Sequence, residues 1–205
     1  FDIVRDKIPQ YSINASYMIN NEIGYIKVTR FAATTYDEFK KAVTELKSQG
    51  MKKLVLDLQS NPGGYMGAAI NIADEILGSN AVIVSQEGKT SRFNQKAYAV
   101  KQGIFEDGSV VVLINEGSAS ASEIVAGAIQ DNDRGLIVGR RSFGKGLVQM
   151  PIDLSDGAEL RLTIARYYTP SGRSIQKPYG DKEDDYNLDW IKRFEHGEFF
   201  SADSV

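Results

Sequence analysis

One stretch near the middle of the chain decides the fold: Val110-Val111-Val112-Leu113-Ile114, then Asn115-Glu116-Gly117, then Ser118-Ala119-Ser120-Ala121-Ser122. The apolar run is short and rich in β-branched residues, which is typical of a buried strand. Beyond the serines, apolar residues recur at helical spacing from Ile124 to Ile129. The serine cluster is therefore predicted to lie where a strand ends and a helix begins.

This junction is a suitable place for a nucleophile. A helix N-terminus offers unpaired backbone N–H groups and the positive end of a dipole, and both stabilise an oxyanion. Ser118, Ser120 and Ser122 all lie there. Serine is also a favoured helix N-cap, so capping is the plain alternative for each of them. The residue pattern by itself leaves all three serines open as nucleophiles.

A lysine further along favours the catalytic interpretation. After a predicted short strand at Gly135–Gly139, the chain reads Ser142-Phe143-Gly144-Lys145-Gly146. Desolvation in such a loop favours a neutral amine, and a neutral amine beside a serine hydroxyl acts as a general base. Ser/Lys pairs are an accepted variant of the catalytic triad. A phosphate-binding lysine is the alternative, but the Walker pattern and the Ser/Thr after the lysine are missing.

Together these residues resemble the core of the carboxy-terminal processing peptidases, the tail-specific serine proteases of family S41. The resemblance rests on several motifs in one order: Leu56-Asp57-Leu58, Asn61-Pro62-Gly63-Gly64, Gly117-Ser118-Ala119-Ser120-Ala121-Ser122-Glu123, Gln130-Asp131-Asn132, Phe143-Gly144-Lys145-Gly146-Leu147-Val148-Gln149 and Leu162–Gln176. Gln59 departs from the pattern, because an arginine is common there in the family. Motifs in a fixed order are far more specific than one short pattern.

The resemblance assigns roles within the site. It implies Ser120 as the nucleophile, Lys145 as the general base and Gln149 as the residue that orients the amine. The oxyanion is expected to bind the backbone N–H of Ala121 and an N–H of the Gly63-Gly64 turn, with Gly64 favoured. Missing side chains at this turn let a substrate come close.

Two acidic residues near the site are expected to have structural roles. Asp131 matches a family aspartate that is important in some members, but a carboxylate beside Lys145 would stabilise the charged ammonium and oppose its action as a base. Glu123 is expected to bind backbone groups or an arginine.

Strand–helix–strand repetition predicts an α/β fold with a largely parallel sheet, and the resemblance implies a crotonase/ClpP-like ββα core. The elements predicted around the site are strands at Gly24–Arg30, Lys53–Leu58 and Glu159–Tyr168, a helix from Thr35 with a Thr35/Glu38 capping box, and a helix at Gly67–Leu77. A loop with short strands is predicted from Gln86 to Asp107.

Residues 1–180 are predicted to form the peptidase core. Its first strand, Asp2–Pro9, is expected to leave a PDZ domain that belongs to the full-length chain. Residues 181–205 form a charged and aromatic segment, in which Asp181–Asp185 is predicted to be a solvated loop. The aromatic residues after it are expected to pack either on the core or on a missing C-terminal portion.

Composition excludes several functions. The chain has 205 residues, a net charge of −3, one histidine and no cysteine. The acidic balance argues against nucleic-acid binding. Without cysteine there is no disulfide, thiol nucleophile or thiolate metal site. A Ser/His/Asp triad or a zinc site would both have to use His196, so neither is favoured. No metal or cofactor is expected.

The predicted function is a serine endopeptidase that cleaves proteins near or from apolar C-terminal tails through an acyl-enzyme. The substrate is expected to add to an exposed strand edge, and the resemblance implies a bacterial periplasmic or cell-envelope location. One alternative is a catalytically silent peptide- or ligand-binding protein on the same fold. Another is an acyl-CoA hydratase or isomerase, which leaves the Ser/Lys pair unexplained. The sequence predicts neither the natural substrate nor the oligomeric state.

Overall fold

Two β-sheets and four α-helices make up the residues that this computed structural model describes, which are 10–100, 102–180 and 186–200. In chain order the elements are β1 (Ile13–Met18), β2 (Ile23–Val28), α1 (Thr35–Ser48), β3 (Lys53–Asp57), α2 (Met66–Asp74), β4 (Val82–Gly88), a 3₁₀ turn (Ser91–Phe93), β5 (Gln95–Tyr98), β6 (Ser109–Ile114), α3 (Ala121–Asp131), β7 (Leu136–Gly139), β8 (Leu147–Asp153), β9 (Glu159–Tyr168) and α4 (Asp189–Glu195).

The larger sheet has the order β1-β2-β3-β6-β7. β1 is antiparallel to β2, and every other neighbouring pair is parallel. Leu54 and Leu56 of β3 and Val110 and Val112 of β6 are buried, and the remaining apolar residues of these two strands are half-buried. Since parallel strands end at the same edge of a sheet, the turn after β3 and the serine cluster after β6 come together there.

The smaller sheet has the order β5-β4-β9-β8 and is antiparallel throughout. The α/β class is confirmed, but the predicted largely parallel arrangement holds only from β2 to β7. The short connections from β4 to β5 and from β8 to β9 explain the difference, because short connections join antiparallel strands whereas parallel strands need a long crossover. β8 is an edge strand that the sequence did not identify.

The start of α1 differs from the predicted capping box between Thr35 and Glu38. The Glu38 carboxylate instead accepts hydrogen bonds from the backbone N–H groups of Ser12 and Ile13, at 2.7 and 3.0 Å. The Thr35 hydroxyl accepts one from the N–H of Ala32, at 2.7 Å. A strand lying beside the helix start competes for Glu38, so this carboxylate fastens the beginning of β1 to α1.

The C-terminal aromatic residues do not join the core. Trp190 is 63% exposed and Phe200 is 73% exposed. Phe194 contacts the rings of Phe199 and Phe200, with centroids 6.4 and 5.0 Å away. The predicted strand Asp2–Pro9 and the charge run Asp181–Asp185 lie outside the described residues. None of the helices in the described residues has the length and apolarity needed to cross a membrane.

Candidate active site

Ser120 occupies the junction between β6 and α3. Its backbone is strained, with φ 57° and ψ −111°, in a region that residues other than glycine seldom adopt. A hydrogen bond holds the backbone in this conformation: the Ser120 N–H donates to the Glu123 carboxylate at 2.7 Å. The sharp turn leaves Ser120 half-buried and lining a cleft.

The neighbouring serines are used for structure. Ser118 and Ser122 are both fully buried. The Ser118 hydroxyl donates to the carbonyl of Leu58 at 2.8 Å, and the Ser122 hydroxyl donates to the carbonyl of Asn61 at 2.9 Å. Of the three serines that the sequence left open, only Ser120 therefore lines the cleft.

The turn after β3 forms the opposite lip of the junction. Asn61 is fully buried, and its side-chain amide donates to the carbonyl of Val28 at 2.9 Å. Gly63 and Gly64 have φ values of 96° and 143°, which favour glycine. A Cβ on Gly63 would lie 2.9 Å from the backbone nitrogen of Ala121, and one on Gly64 would overlap the carbonyl of Phe31. The close approach therefore requires glycine at both positions.

The backbone donors at this junction are not equivalent. The Gly63 N–H donates to the Asn61 side chain at 2.9 Å and is thus engaged. The N–H groups of Gly64 and Ala121, in contrast, have no hydrogen-bond acceptor within residues 10–100, 102–180 and 186–200. Gly63 is buried, whereas Gly64 is exposed. The geometry thus favours Gly64 over Gly63 as the partner of Ala121.

Glu123 joins Ser120 to the loop that carries Lys145. Besides the Ser120 N–H, its carboxylate accepts hydrogen bonds from the N–H of Lys145 at 2.9 Å, the N–H of Gly144 at 2.6 Å and the hydroxyl of Ser142 at 2.7 Å. Glu123 is only 6% exposed, and its desolvation raises its pKa although these donors oppose the shift. The prediction that Glu123 binds backbone groups is confirmed.

Lys145 and Gln149 lie on the open side of the cleft. Both are solvent-exposed, so the desolvated setting expected for the lysine is not present in this structure. The glycine-rich loop faces solvent across the cleft. The sequence pattern of a loop does not indicate whether other parts of the chain cover it, which is why the prediction failed. Gln149 lies at a bulge in β8, where the register shifts between Val148 and Gln149. No hydrogen bond between Gln149 and Lys145 occurs in the described structure.

The cleft has a volume of about 720 Å³ and brings together Ser120, Lys145, Gln149, Gly63 and Gly64. Its other lining residues are six apolar or aromatic ones and an ion pair of 2.9 Å: Phe31, Pro62, Tyr65, Leu147, Pro151 and Tyr167, with Glu159 and Arg161. Sequence reasoning did not identify these walls. A signal was available, because Leu147, Gln149 and Pro151 alternate along one strand face.

Asp131 lies apart from the residues that line this cleft. Its carboxylate accepts hydrogen bonds from the N–H and the hydroxyl of Ser171, at 3.1 and 2.6 Å, and pairs with Arg173. These contacts fasten the end of α3 to the turn after β9, which is consistent with the predicted structural role. Within the described part of the chain, no group of acidic or histidine side chains is arranged to hold a metal ion.

Comparisons with known proteins point to one family of peptidases. The model of peptidase family S41 matches residues 22–186. A carboxy-terminal-processing protease of Bartonella bacilliformis is 42% identical over 85% of this chain, and a carboxyl-terminal-processing protease of Synechocystis is 42% identical over 76% of it. The chain spans only 40% and 36% of the lengths of these two relatives.

Solved structures show the same likeness. A photosystem II D1 C-terminal processing protease superimposes with a TM-score of 0.69 and 41% identity, over 75% of this chain and 39% of that one. A lipoprotein from Streptococcus agalactiae superimposes with a TM-score of 0.60 and 18% identity, over 90% of this chain and 69% of that one. The second likeness concerns the fold alone.

Proposed function

The chain belongs to peptidase family S41, and we propose that it is the core of a serine peptidase in which Ser120 and Lys145 act as nucleophile and general base. One arrangement carries the proposal. A strained serine and a lysine line the same cleft, beside two backbone N–H groups, of Gly64 and Ala121, that have no acceptor in the described residues. That set of groups suits acyl transfer.

The first half of the reaction forms an ester. Ser120 Oγ attacks the scissile carbonyl carbon while its proton passes to Lys145 Nζ. The carbonyl oxygen becomes an oxyanion, which the N–H groups of Gly64 and Ala121 stabilise. When the C–N bond breaks, Lys145 returns the proton to the leaving amine. The acyl group remains on Ser120.

The second half releases the acid. Water gives a proton to Lys145 and attacks the ester carbonyl, and the C–O bond to Ser120 then breaks as the serine regains its proton. In this scheme Gln149 orients the lysine amine. A peptide lying over the cleft would cover the Lys145 amine and exclude water from it. The exposure of Lys145 in this structure describes the cleft without a substrate.

We propose protein tails as the substrates, since the relatives named above are C-terminal processing proteases. The apolar walls at Phe31, Leu147 and Tyr167 suit apolar side chains. β8 is both a wall of the cleft and an edge strand, so an extended peptide has an edge to join. A PDZ domain in the full-length chain, a crotonase/ClpP-like topology and a bacterial cell-envelope location belong to the same proposal.

The test is cleavage of an unstructured peptide with an apolar free C-terminus, followed by mass spectrometry. This chain is compared with the variants Ser120→Ala and Lys145→Met, each shown to be folded by circular dichroism. Cleavage that disappears in both variants supports the Ser/Lys mechanism. Cleavage that persists in either variant contradicts it. Binding of the peptide without cleavage by any of the three proteins would support the catalytically silent alternative.

A further inference from the structure

The segment Tyr186–Phe200, which includes α4, packs behind the loop that carries Lys145. We call residues 140–146 the base loop. The family model ends at residue 186, so nearly all of this segment lies beyond the matched part of the chain. Its contacts with the base loop are nevertheless numerous and polar.

Arg193 makes the most buried of these contacts. The residue is only 4% exposed, although it carries a full charge. Its guanidinium donates to the carbonyl of Arg141 at 2.6 Å and to the carbonyl of Ser142 at 3.5 Å. It also donates to the Glu198 carboxylate at 2.8 Å. A buried arginine needs such partners, and its planar fork holds several acceptors in a fixed geometry.

Other contacts reinforce this one. The Asp189 carboxylate pairs with Arg141 at 3.5 Å and with Lys177 at 3.3 Å. Lys177 is connected directly to the base loop, because its backbone N–H donates to the carbonyl of Gly144 at 3.0 Å. Arg140 donates to the carbonyl of Phe199 at 3.0 Å. The base loop is thus attached to the segment at both of its arginines.

The base loop needs such support because it lacks regular secondary structure. Glycines at positive φ lie before it and within it, with φ 128° at Gly139 and 86° at Gly144, and glycine gives a loop conformational freedom. On its front, the loop's N–H groups donate to Glu123 and to the carbonyl of Ser118. On its back, the carbonyls of Arg141 and Ser142 depend on Arg193.

We propose that Arg193 is a positioning residue for Lys145, and that Tyr186–Phe200 braces the base loop in its catalytic geometry. The inference rests on the proposed function, since it assigns the segment a role in placing the general base. Arg193 itself does not line the cleft, so it acts only through the loop.

Hydrogen exchange of the whole chain tests the brace without any substrate. In Arg193→Met, amides of residues 141–146 should exchange about tenfold faster, because the loop opens more often. Amides of α3 should be unchanged. Trp190→Ala is the matched control, since Trp190 lies on the same helix and is 63% exposed. Unchanged exchange of the base loop in Arg193→Met overturns the proposal, whatever the activity.

Kinetics then separates positioning from general stability. We expect kcat to fall by about tenfold in Arg193→Met with KM within about twofold, because a misplaced base slows the chemistry without altering substrate contacts. Arg193→Lys, which keeps the charge but loses the fork, should recover part of the loss. A fall in kcat that merely follows the folded fraction, measured by circular dichroism, contradicts the proposal.

A milder variant covers the case in which Arg193→Met does not fold. Glu198→Gln leaves Arg193 in place but removes the carboxylate that pairs with both Arg193 and Arg141 of the base loop, so it should give a smaller change of the same kind in exchange and in kcat. If the unaltered chain has no Ser120-dependent activity, the proposed function fails, and the exchange measurement still decides whether the segment braces the loop.

Discussion

The two walls of the cleft are built in different ways. We call the turn at residues 61–64 and the junction at residues 118–122 the nucleophile wall, after the proposed role of Ser120. In it, Asn61, Ser118 and Ser122 are fully buried, and each side chain donates to a backbone carbonyl. We call the base loop and β8 the base wall, after the proposed role of Lys145. In it, Lys145 and Gln149 are exposed, and most residues of β8 face solvent. The nucleophile wall follows the ends of parallel strands in the core, whereas the base wall consists of a loop and an edge strand.

This contrast suggests a division of tasks. Oxyanion donors stabilise a transition state best when they are fixed before the reaction, and the buried hydrogen bonds of the nucleophile wall fix them. The proposed base, Lys145, must approach both the serine and the leaving group, and its loop is held by a few hydrogen bonds to Glu123 and Arg193. Changes to the residues that support the first wall should therefore lower activity more than changes to the residues that support the second.

The largest effect is expected from Gly64→Ala on the nucleophile wall. A Cβ there overlaps the carbonyl of Phe31, and φ is 143°, so the turn must shift and carry the Gly64 N–H with it. We expect kcat/KM to fall by about a hundredfold to a thousandfold, the range for loss of an oxyanion donor. Steady-state cleavage of the test peptide measures it.

Gly67→Ala is the control for that change. Gly67 lies in α2 and has open space where its Cβ would be. Alanine should therefore be tolerated there and add about 0.5–1 kcal/mol of stability as a better helix former. Full activity in Gly64→Ala would show that this wall is less fixed than its hydrogen bonds indicate.

A smaller loss is expected from Glu123→Gln, which alters the residue that joins the two walls. The amide replaces one acceptor oxygen with an NH₂ group that faces N–H donors, so the base loop loses part of its anchor. We expect kcat to fall by about ten- to a hundredfold, and the free energy of unfolding to fall by about 1–3 kcal/mol. Kinetics and urea denaturation measure the two effects.

Glu45→Gln, at a side chain that is 59% exposed, is the matched control and should change neither quantity. If Glu123→Gln lowers stability but leaves kcat intact, the two walls keep their alignment without this carboxylate, and the contrast between them has another origin.

The smallest effect concerns pH and the support beneath the nucleophile wall. Burial alone would raise the pKa of Asp57, but hydrogen bonds from Tyr25, Lys27 and the Gln59 N–H lower it below its ordinary value of 3.8. With a lowered pKa in the folded state, the unfolded chain binds more protons in acid. The contribution of Asp57 is therefore complete above about pH 3.8 and is lost as the pH falls through the folded value.

Asp57→Asn should remove this contribution, about 1–2 kcal/mol, and flatten the pH dependence of unfolding in acid. Urea denaturation between about pH 2.5 and pH 6 measures it, with exposed Asp37→Asn as the control. A variant that loses stability in acid as steeply as the parent chain would show that other carboxylates govern the acid transition.

Some of this arrangement could be predicted from local sequence. The β-branched run Val110–Ile114 and the alternation of Glu159–Tyr168 predicted β6 and β9 closely. The engaged N–H of Gly63 also had a local signal, because an asparagine side chain commonly binds the N–H two residues later. That signal distinguishes Gly63 from Gly64 without any structure.

Other features depend on residues far apart in the chain. The hydroxyls of Ser118 and Ser122 donate to carbonyls about sixty positions away, at Leu58 and Asn61, and such contacts leave no trace in a local pattern. Lys145 is exposed because no other part of the described chain covers its side chain. Arg193 contacts the base loop because the segment after the family match packs back against it. These features could not be predicted because each depends on residues that are far apart in the sequence.

Gly139 and Gly144 affect how often the loop that carries Lys145 opens. A loop without regular secondary structure, held mainly through Glu123 and Arg193, opens at a lower free energy than the sheet in the core. The chain is thus expected to spend intervals as a folded molecule with its lysine out of place, unable to cut. If Lys145 is the general base that we propose, the fraction of time that the loop spends closed sets an upper limit on the rate of cleavage.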